Sequence, residues 1–440
     1  MGDFDTEAWL VRNPDIGNLR AAIFDLNGVL RGKRLPRNQL KKVINGGIRM
    51  PLSSANLDIW GRDIANSKWV FETGDSDGGC FWTGRGPLPM PWTEQTTALV
   101  PLSLMDNDGK AFAGDARNAL AMILDRFAAL DLRPVVGFEM EFYLADPQGG
   151  ADGQPDAPAS PLTGAKPIRD GALAIDEVND HDALINEIYA ACQLQMIEAD
   201  TTISEAGLGQ FEINLVHSHD AMKAADDAAF FKQIAKGVAR KYGLAASFMA
   251  KPYADRPGNG MHLHISLLDG KGKNVFDDGS DAGSPVLGHA LAGALAGLAD
   301  SMLVFAPHQN SYRRFAIESH APMAVCWGYE NRTAALRVPL GPPSQRRIEH
   351  RVSGADANPY LVLAAVLGAI LTGLEDQKPP PPPITSSSYA LDLPRLPSSW
   401  EDAINHFTNS AVIARMLPET LRDMLIACKI QELQRFSGDI

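Results

Sequence analysis

The 440 residues hold only four cysteines, Cys80, Cys192, Cys326 and Cys428, and no two are spaced as a CxxC pair. This argues against a disulfide framework and a structural zinc site, and suits reduced thiols in a cytoplasm. Positive charge is also scarce: a formal net charge of −13 and a pI near 5.2 argue against nucleic acid as a partner. The first residues, Met1-Gly2-Asp3-Phe4-Asp5-Thr6, lack the basic start and apolar run of a signal peptide, and their formal match to a myristoylation pattern is short and acidic. The most apolar window, Leu361 to Leu374, is too short for an ordinary membrane span, is flanked by Asp356 and Glu375, and predicts a buried helix. No membrane segment is expected. There is no internal repeat, no GxxxxGKS or GxxxxGKT loop, and no GxGxxG fingerprint opening a helix, which argues against a P-loop enzyme and a Rossmann dehydrogenase. Any phosphate must then be held by cations and arginines.

With 45% hydrophobic and 21% charged residues, the chain is expected to be globular with one large and one smaller domain, and its strands and helices alternate without the regular rhythm of a doubly wound sheet, as in an α+β protein. Leu19 to Leu30 reads as a strand ending in an Asn27-Gly28 turn, followed by a Gly- and Pro-punctuated, β-rich region up to about residue 107. Asp115 is placed to cap a helix whose apolar residues Leu120, Ile123, Leu124, Phe127 and Leu130 recur at helical spacing. A boundary near residue 108 follows, dividing the chain into 17–107 and 108–440. Residues 146 to 170 predict a long surface loop, and His181 to Glu198 and Ala221 to Tyr242 predict amphipathic helices. The run Pro379 to Pro383 predicts an extended, exposed segment that sets a C-terminal helical part off from the body.

Four stretches alternate like strands and put ligand-type side chains on one face. Glu139 and Glu141 oppose Phe138, Met140 and Phe142; His262, His264 and Ser266 oppose Met261, Leu263 and Ile265. Gln210, Glu212 and Asn214 oppose Phe211, Ile213 and Leu215, with Glu205 leading that stretch, and Arg347 to Arg351 carries Glu349. Crowded carboxylates repel one another, so a face holding Glu139, Glu141, Glu205, Glu212 and Glu349 needs cations. Five carboxylates and one imidazole offer three ligands to each of two ions, and oxygen-rich ligation favours Mg²⁺ or Mn²⁺ over zinc. Singly, each Glu reads as a solvated charge; the conjunction of four stretches carries the signal.

Between Arg313 and Arg351 stand seven arginines, Arg313, Arg314, Arg332, Arg337, Arg346, Arg347 and Arg351, against Glu318, Glu330 and Glu349. Guanidinium groups bind phosphates and carboxylates bidentately, so the region suits a triphosphate and an anionic substrate. Arg313 and Arg346 read instead as ordinary surface and interface ion pairs.

The blocks at 137–142, 205–212, 258–264, 310–315, 331–339, 347–351 and 358–361 together resemble the glutamine synthetase superfamily along nearly the whole chain. The segments at 25–34, 248–253 and 348–351 resemble most closely its gamma-glutamylputrescine synthetase branch. The resemblance implies a small β-grasp-like N-terminal domain, a larger glutamine-synthetase-type catalytic α/β domain, and sites between neighbouring subunits of a homo-oligomer, a dodecamer. It implies that Glu141, Glu205 and Glu212 hold one metal and Glu139, His262 and Glu349 the other. It implies Gly258, Arg314, Arg332 and Arg351 for glutamate, and His264, Ser266, Arg337 and Arg347 for ATP as co-substrate.

The departures from that family are informative. Where glutamine synthetases carry an Asp-Gly-Ser-Ser segment for ammonium, this chain reads Pro51-Leu52-Ser53-Ser54, and His320 replaces the flap glutamate before Ala321-Pro322. Losing two acceptors suited to a small cation leaves room for a substituted amine. His320 is then expected either to steer the amine or take its proton, or only to fill volume. Pro257 replaces the asparagine usual before Gly258, and Ala316-Ile317-Glu318-Ser319-His320 differs from the segment expected of putrescine enzymes. The expected reaction is ATP-dependent ligation of glutamate to a primary amine, putrescine or another polyamine, through gamma-glutamyl phosphate. The alternatives, in order, are a monoamine ligase, an authentic glutamine synthetase and a non-catalytic relative.

Overall fold

A computed structural model describes residues 4–150, 154–169, 171–317 and 319–438; part of the predicted 146–170 loop and Glu318 lie outside them. Two sheets organise the described residues. The first contains β1 (Asn18–Phe24), β2 (Leu30–Pro36), β3 (Ile48–Pro51), β4 (Asp77–Trp82), β5 (Leu88–Met90) and β6 (Thr97–Met105). Its order is β2-β1-β6-β4-β3, with β5 also on β6, and only β1 and β6 run parallel. The predicted 19–30 strand ends at Phe24, because Asp25 turns the chain: its carboxylate accepts from Val29 N at 2.9 Å, and Gly28 takes φ +71°.

The second sheet contains β7 (Leu132–Ala145), β8 (Ala199–Ser204), β9 (Gln210–Ser218), β10 (Ala245–Ser247), β11 (Met261–Asp269), β12 (Trp327–Tyr329), β13 (Leu336–Val338) and β14 (Ile348–His350). Its order is β12-β13-β14-β11-β7-β9-β8, with β10 also on β7, antiparallel apart from β12 and β13. Helices cover one face. Phe138, Met140, Phe142, Leu263, Ile265 and Ile348 are buried there, and the Phe142 ring lies 5.4 Å from Phe248 and 6.1 Å from Phe231 of helix Ala221–Lys241. The other face is left for polar side chains.

The Asp115 cap is as expected, accepting from Arg117 N and Asn118 N at the head of Ala116–Ala129. Leu130 departs: it lies past the helix end and is exposed. Helix Ala221–Lys241 is buried along most of its length rather than half solvated, being enclosed between the sheet and helix Pro359–Asp376. At 18 residues and mean hydropathy 1.4, Pro359–Asp376 does reach the length of a membrane span; its burial, 83% of that window, makes it the core helix of a folded domain. Its Gly373 meets Gly293 of helix Pro285–Leu298, where a Cβ on Gly293 would stand 2.5 Å from Gly373 N, so the two backbones touch.

The proline run is exposed, but it does not set the C-terminal part apart. Residues 384–396 come back along 323–333 through Ile384 N to Trp327 O (2.9 Å), Val325 N to Pro394 O (2.8 Å) and Leu396 N to Met323 O (3.1 Å). Helix Glu419–Ser437 returns to the first sheet's turn, where Asn27 Nδ2 donates to Glu432 Oε1 at 2.9 Å.

Candidate active site

Strand register assembles the polar face. Arg337 lies beside Glu349, Glu349 beside His264, and His264 beside Gly137. Two residues along, His262 stands beside Glu139 and Glu139 beside Asn214; the next step pairs Glu141 with Glu212. Ser266, half-buried opposite Val135, extends the same face. Glu205 departs from its expected strand position: the chain turns between Ser204 and Gln210, and Glu205 sits in that turn with its N–H donating to Gln210 O at 2.9 Å. Gln210 holds the facing loop, donating from Nε2 to Gly258 O (3.0 Å) and Asn259 Oδ1 (2.9 Å).

Glu139 is the hub. Its Oε2 accepts from His262 Nδ1 at 2.9 Å and its Oε1 from His264 Nε2 at 2.7 Å. Arg347 Nε donates to His264 Nδ1 at 3.0 Å, and since arginine only donates, the hydrogen on His264 is assigned to Nε2. His262 Nε2 then faces Glu141 Oε1 at 3.9 Å. Gly260 N donates to the other Glu141 oxygen at 2.7 Å. Glu349 ion-pairs with Arg351 and lies 2.6 Å from Arg337 Nε, although that N–H is not aligned as a hydrogen bond and Glu349 Oε2 has no hydrogen-bond partner among the described residues.

Two groups bring ligand atoms within 4.8 Å of one another: Glu139, His264 and Glu349, and Glu139, Glu212 and His262. This grouping differs from the two triplets the family resemblance implies. Glu139 belongs to both groups, His264 enters one, and Glu141 and Glu205 enter neither. Local pairing gives the reason, since Glu139 is held by its hydrogen bonds to the two histidines and Glu349 by its ion pairs with Arg337 and Arg351.

The electrostatics record the crowding. Burial, followed by repulsion from Glu139, Glu141 and Glu205, pushes Glu212 up to about 10; burial and then Glu141 push Glu205 up to about 7. Burial would raise Glu139 too, but its hydrogen bonds to His262 and His264 outweigh that and hold it well below the usual carboxylate range. A donor set of oxygens and one or two imidazoles, with two carboxyls whose protons are favoured first by burial and then by neighbouring carboxylates, fits hard divalent cations. A pH dependence follows. Glu205 and Glu212 keep protons in the folded chain that the unfolded chain releases near pH 4.5, so stability without cations falls as pH rises from there through about 7 and towards 10. A cation held by these two carboxyls would displace those protons. Calorimetry in EDTA and in Mg²⁺ should show a Tm gap that widens from pH 6 to pH 8.5; a gap independent of pH would speak against ligation by these two carboxylates.

Arg314 is buried, donating from Nη1 to Val352 O at 2.9 Å, and is wedged against two glycines. A Cβ on Gly258 would stand 2.8 Å from Arg314 Cγ, and one on Gly260 2.8 Å from Arg314 Nη2 and 2.9 Å from His262 Nε2, so only glycine permits this approach. Arg351 Nε donates to Arg332 O at 3.2 Å, while the exposed Arg332 side chain bears electrostatically on Glu205. Arg346 is a correction. It is buried and, in place of an ion pair with a carboxylate, donates to the carbonyls of Asp281 and Ser280, each at 2.7 Å. Arg313 is exposed as expected.

The loop before Ala321 carries His320, exposed and at φ +58°. Tyr389, absent from the sequence expectations, donates its hydroxyl to Ala321 O at 3.1 Å and lies within electrostatic reach of Arg314 and Arg351. His217 was missed as well: its ring centre is 5.5 Å from that of His264, and burial, then His264 and Arg347, push it down to about 4. At the other departure, Pro51 ends β3, Ser54 Oγ donates to Pro51 O and Ser53 Oγ to Asp75 Oδ1, each at 2.6 Å.

A polar sheet face of carboxylates and histidines rimmed by arginines, without a phosphate loop, defines a class of enzyme that handles phosphates through cations. The description "Glutamine synthetase, catalytic domain" matches residues 113–440, and the chain belongs to the glutamine synthetase family. Among its relatives, gamma-glutamylputrescine synthetase PuuA of Escherichia coli K12 is 36% identical over 98% of this chain and 91% of its own. Glutamate–isopropylamine ligase of a Pseudomonas species is 30% identical over 97% of this chain and 93% of its own. The solved GmaS/ADP complex superposes with a TM-score of 0.84 at 26% identity, covering 100% of this chain and 97% of that one.

Proposed function

We propose that the chain is an ATP-dependent gamma-glutamyl amine ligase that joins glutamate to putrescine or another polyamine through gamma-glutamyl phosphate. The single observation that carries this reading is the polar face around Glu139, complete in carboxylates and arginines within a family member that lacks the two ammonium-site acids. The relatives named for putrescine and isopropylamine support it, as does the likeness to an ADP complex. Glu139, Glu141, Glu205, Glu212, His262 and Glu349 would hold two Mg²⁺ or Mn²⁺ ions, which when bound neutralise phosphate charge during transfer. His264, Ser266, Arg337 and Arg347 line the nucleotide side; Gly258, Arg314, Arg332 and Arg351 take glutamate. His320 and the Tyr389-held loop close over the amine. The 17–107 and 108–440 division, a dodecameric assembly and a cytoplasmic location with four reduced, buried cysteines belong to the same proposal.

Catalysis on this reading is mainly positioning. Arg314 and Arg351 fix the glutamate so that a gamma-carboxylate oxygen faces the terminal phosphorus, and arginine charge stabilises the transferring group. The unprotonated amine then attacks the acyl carbon, phosphate leaves, and the nitrogen gives up its proton. Phosphate release that requires glutamate, ATP and an amine together tests the reading; release indifferent to glutamate would overturn it. A sharper test concerns Arg351. Arg351→Ala should raise the glutamate KM by about ten- to a hundredfold, as loss of a charge-assisted contact of about 1.5–3 kcal/mol implies, with little change for ATP. Equal effects on both substrates would place Arg351 in service of Glu349 alone.

A further inference from the structure

On the helix-covered side of the second sheet lies a cavity of about 680 Å³ that the reaction does not use. Its walls come from helix Ala221–Lys241, from β10 and the residues after it, from the turn Gln309–Arg314 and from Asp356. The volume falls in the range of small-molecule sites, about 300–1,000 Å³. Its charge runs against the chain as a whole. In a protein of net charge −13, Lys232, Lys236 and Arg313 face this space with one carboxylate, Asp356, whose Oδ2 accepts from Ser311 Oγ at 2.5 Å and whose Oδ1 has no hydrogen-bond partner among the described residues.

Lys232 is buried, and its ammonium makes one hydrogen bond among the described residues, to Ala357 O at 2.6 Å. The ammonium groups of Lys232 and Lys236 stand 5.9 and 5.7 Å from the Phe248 ring centre. Burial and then the neighbouring Lys236 push Lys232 down to about 7, a cost that a bound anion would relieve. The remaining titratable group on the wall, His308, is driven well below its ordinary value by burial and then by Lys429 and Lys232, so the positive charge of the site comes from the lysines and Arg313. Phe248 and the exposed Met249 supply an apolar floor beside the two ammonium groups.

The wall nearest the active site is thin. Gln309, Asn310 and Arg313 line the cavity, while the next residue, Arg314, is the one wedged against Gly258 and Gly260. Asn310 ties the turn to the segment just after Phe248 and Met249, its Oδ1 accepting from Lys251 N at 3.0 Å and its Nδ2 donating to Lys251 O at 2.9 Å. Asp356 touches the turn through Ser311 and lies five residues beyond Arg351.

We propose that this cavity binds a small organic anion, a carboxylate or phosphate on an apolar body, with its head on Lys232 and Lys236 and its body on Phe248 and Met249. Occupancy is read at the substrate site through the turn Gln309–Arg314. The test uses phenyl phosphate and benzoate as probes, with benzyl alcohol as the uncharged counterpart. Binding is followed by calorimetry on the full chain with glutamate, Mg²⁺ and a non-hydrolysable ATP analogue at saturation, so that the catalytic face is filled. At least one anion should bind while benzyl alcohol does not. Lys236→Glu, at the exposed rim, should weaken binding at least about tenfold without altering turnover measured in the absence of probe. In the unaltered protein the probe should shift the glutamate KM severalfold, and in Lys236→Glu it should not. Absence of heat at millimolar anion, or equal binding by both proteins, would overturn the site. Binding with an unmoved KM would overturn its coupling to Arg314.

Discussion

Glu139→Ala is expected to lower ATP turnover about a thousandfold while the protein stays folded. The residue is common to both ligand groups and is the acceptor for His262 and His264, so one substitution removes charge from both. Several kcal/mol of transition-state stabilisation are at stake, and each tenfold in rate is about 1.4 kcal/mol. The fold should tolerate the change because Glu139 faces away from Phe138 and Met140, which carry the packing. Without divalent ions the variant should be at least as heat-stable as the parent, since Glu139 is the neighbour that most raises Glu212 after burial itself. Steady-state phosphate release and calorimetry in EDTA decide the matter. Turnover within tenfold of the parent would remove Glu139 from the cation site; a collapsed fold would show that its role is structural. Glu139→Gln keeps the shape and the acceptor for one histidine but loses the charge, and should be nearly as inactive.

The second large effect is selectivity for the amine. Putrescine or a related amine should be used with a kcat/KM at least about a hundredfold above that of ammonia, the scale that a mismatched polar site imposes on the wrong substrate. The basis is local. Where the family resemblance implies an ammonium-site aspartate, Pro51 offers no side-chain acceptor, and where it implies a flap glutamate, His320 stands exposed in the loop that Tyr389 holds by Ala321. Activity should climb with pH as more of the amine loses its proton. His320→Ala should impair amine use and largely spare slow, amine-independent formation of the acyl phosphate. His320→Glu, by restoring an acceptor, should narrow the preference over ammonia by about tenfold. An amine panel scored by phosphate release checks all three, and a parent enzyme that prefers ammonia to every amine would return the chain to glutamine synthesis.

What could be read in the sequence was whatever obeys a fixed period. Glu139 with Glu141, and His262 with His264, lie two apart in uninterrupted strands, and alternation alone placed them on one face. His217 escaped because a bulge between Val136 and Phe138 shifts the register of β9, so an odd-numbered residue joins a face begun by Gln210, Glu212 and Asn214. Glu205 was assigned to a strand because its neighbours read as one; the turn that holds it is fixed by hydrogen bonds to Gln210. Arg346 and Tyr389 carry no local signal, since each is defined by partners some 65 residues away or more. The cavity at Lys232 was equally invisible, because helical spacing records burial and not what lies across the gap.

The strap of residues 384–396 has a consequence in time as well as space. During synthesis the carboxylates of β7 and β9 leave the ribosome first, then the histidines of β11, then the arginines around Glu349. Tyr389, which holds the loop carrying His320, follows only after all of them. A nascent chain can therefore assemble its polar face while the loop carrying His320 is still unsecured; on the proposed function, the floor of the site is laid before its door is hung.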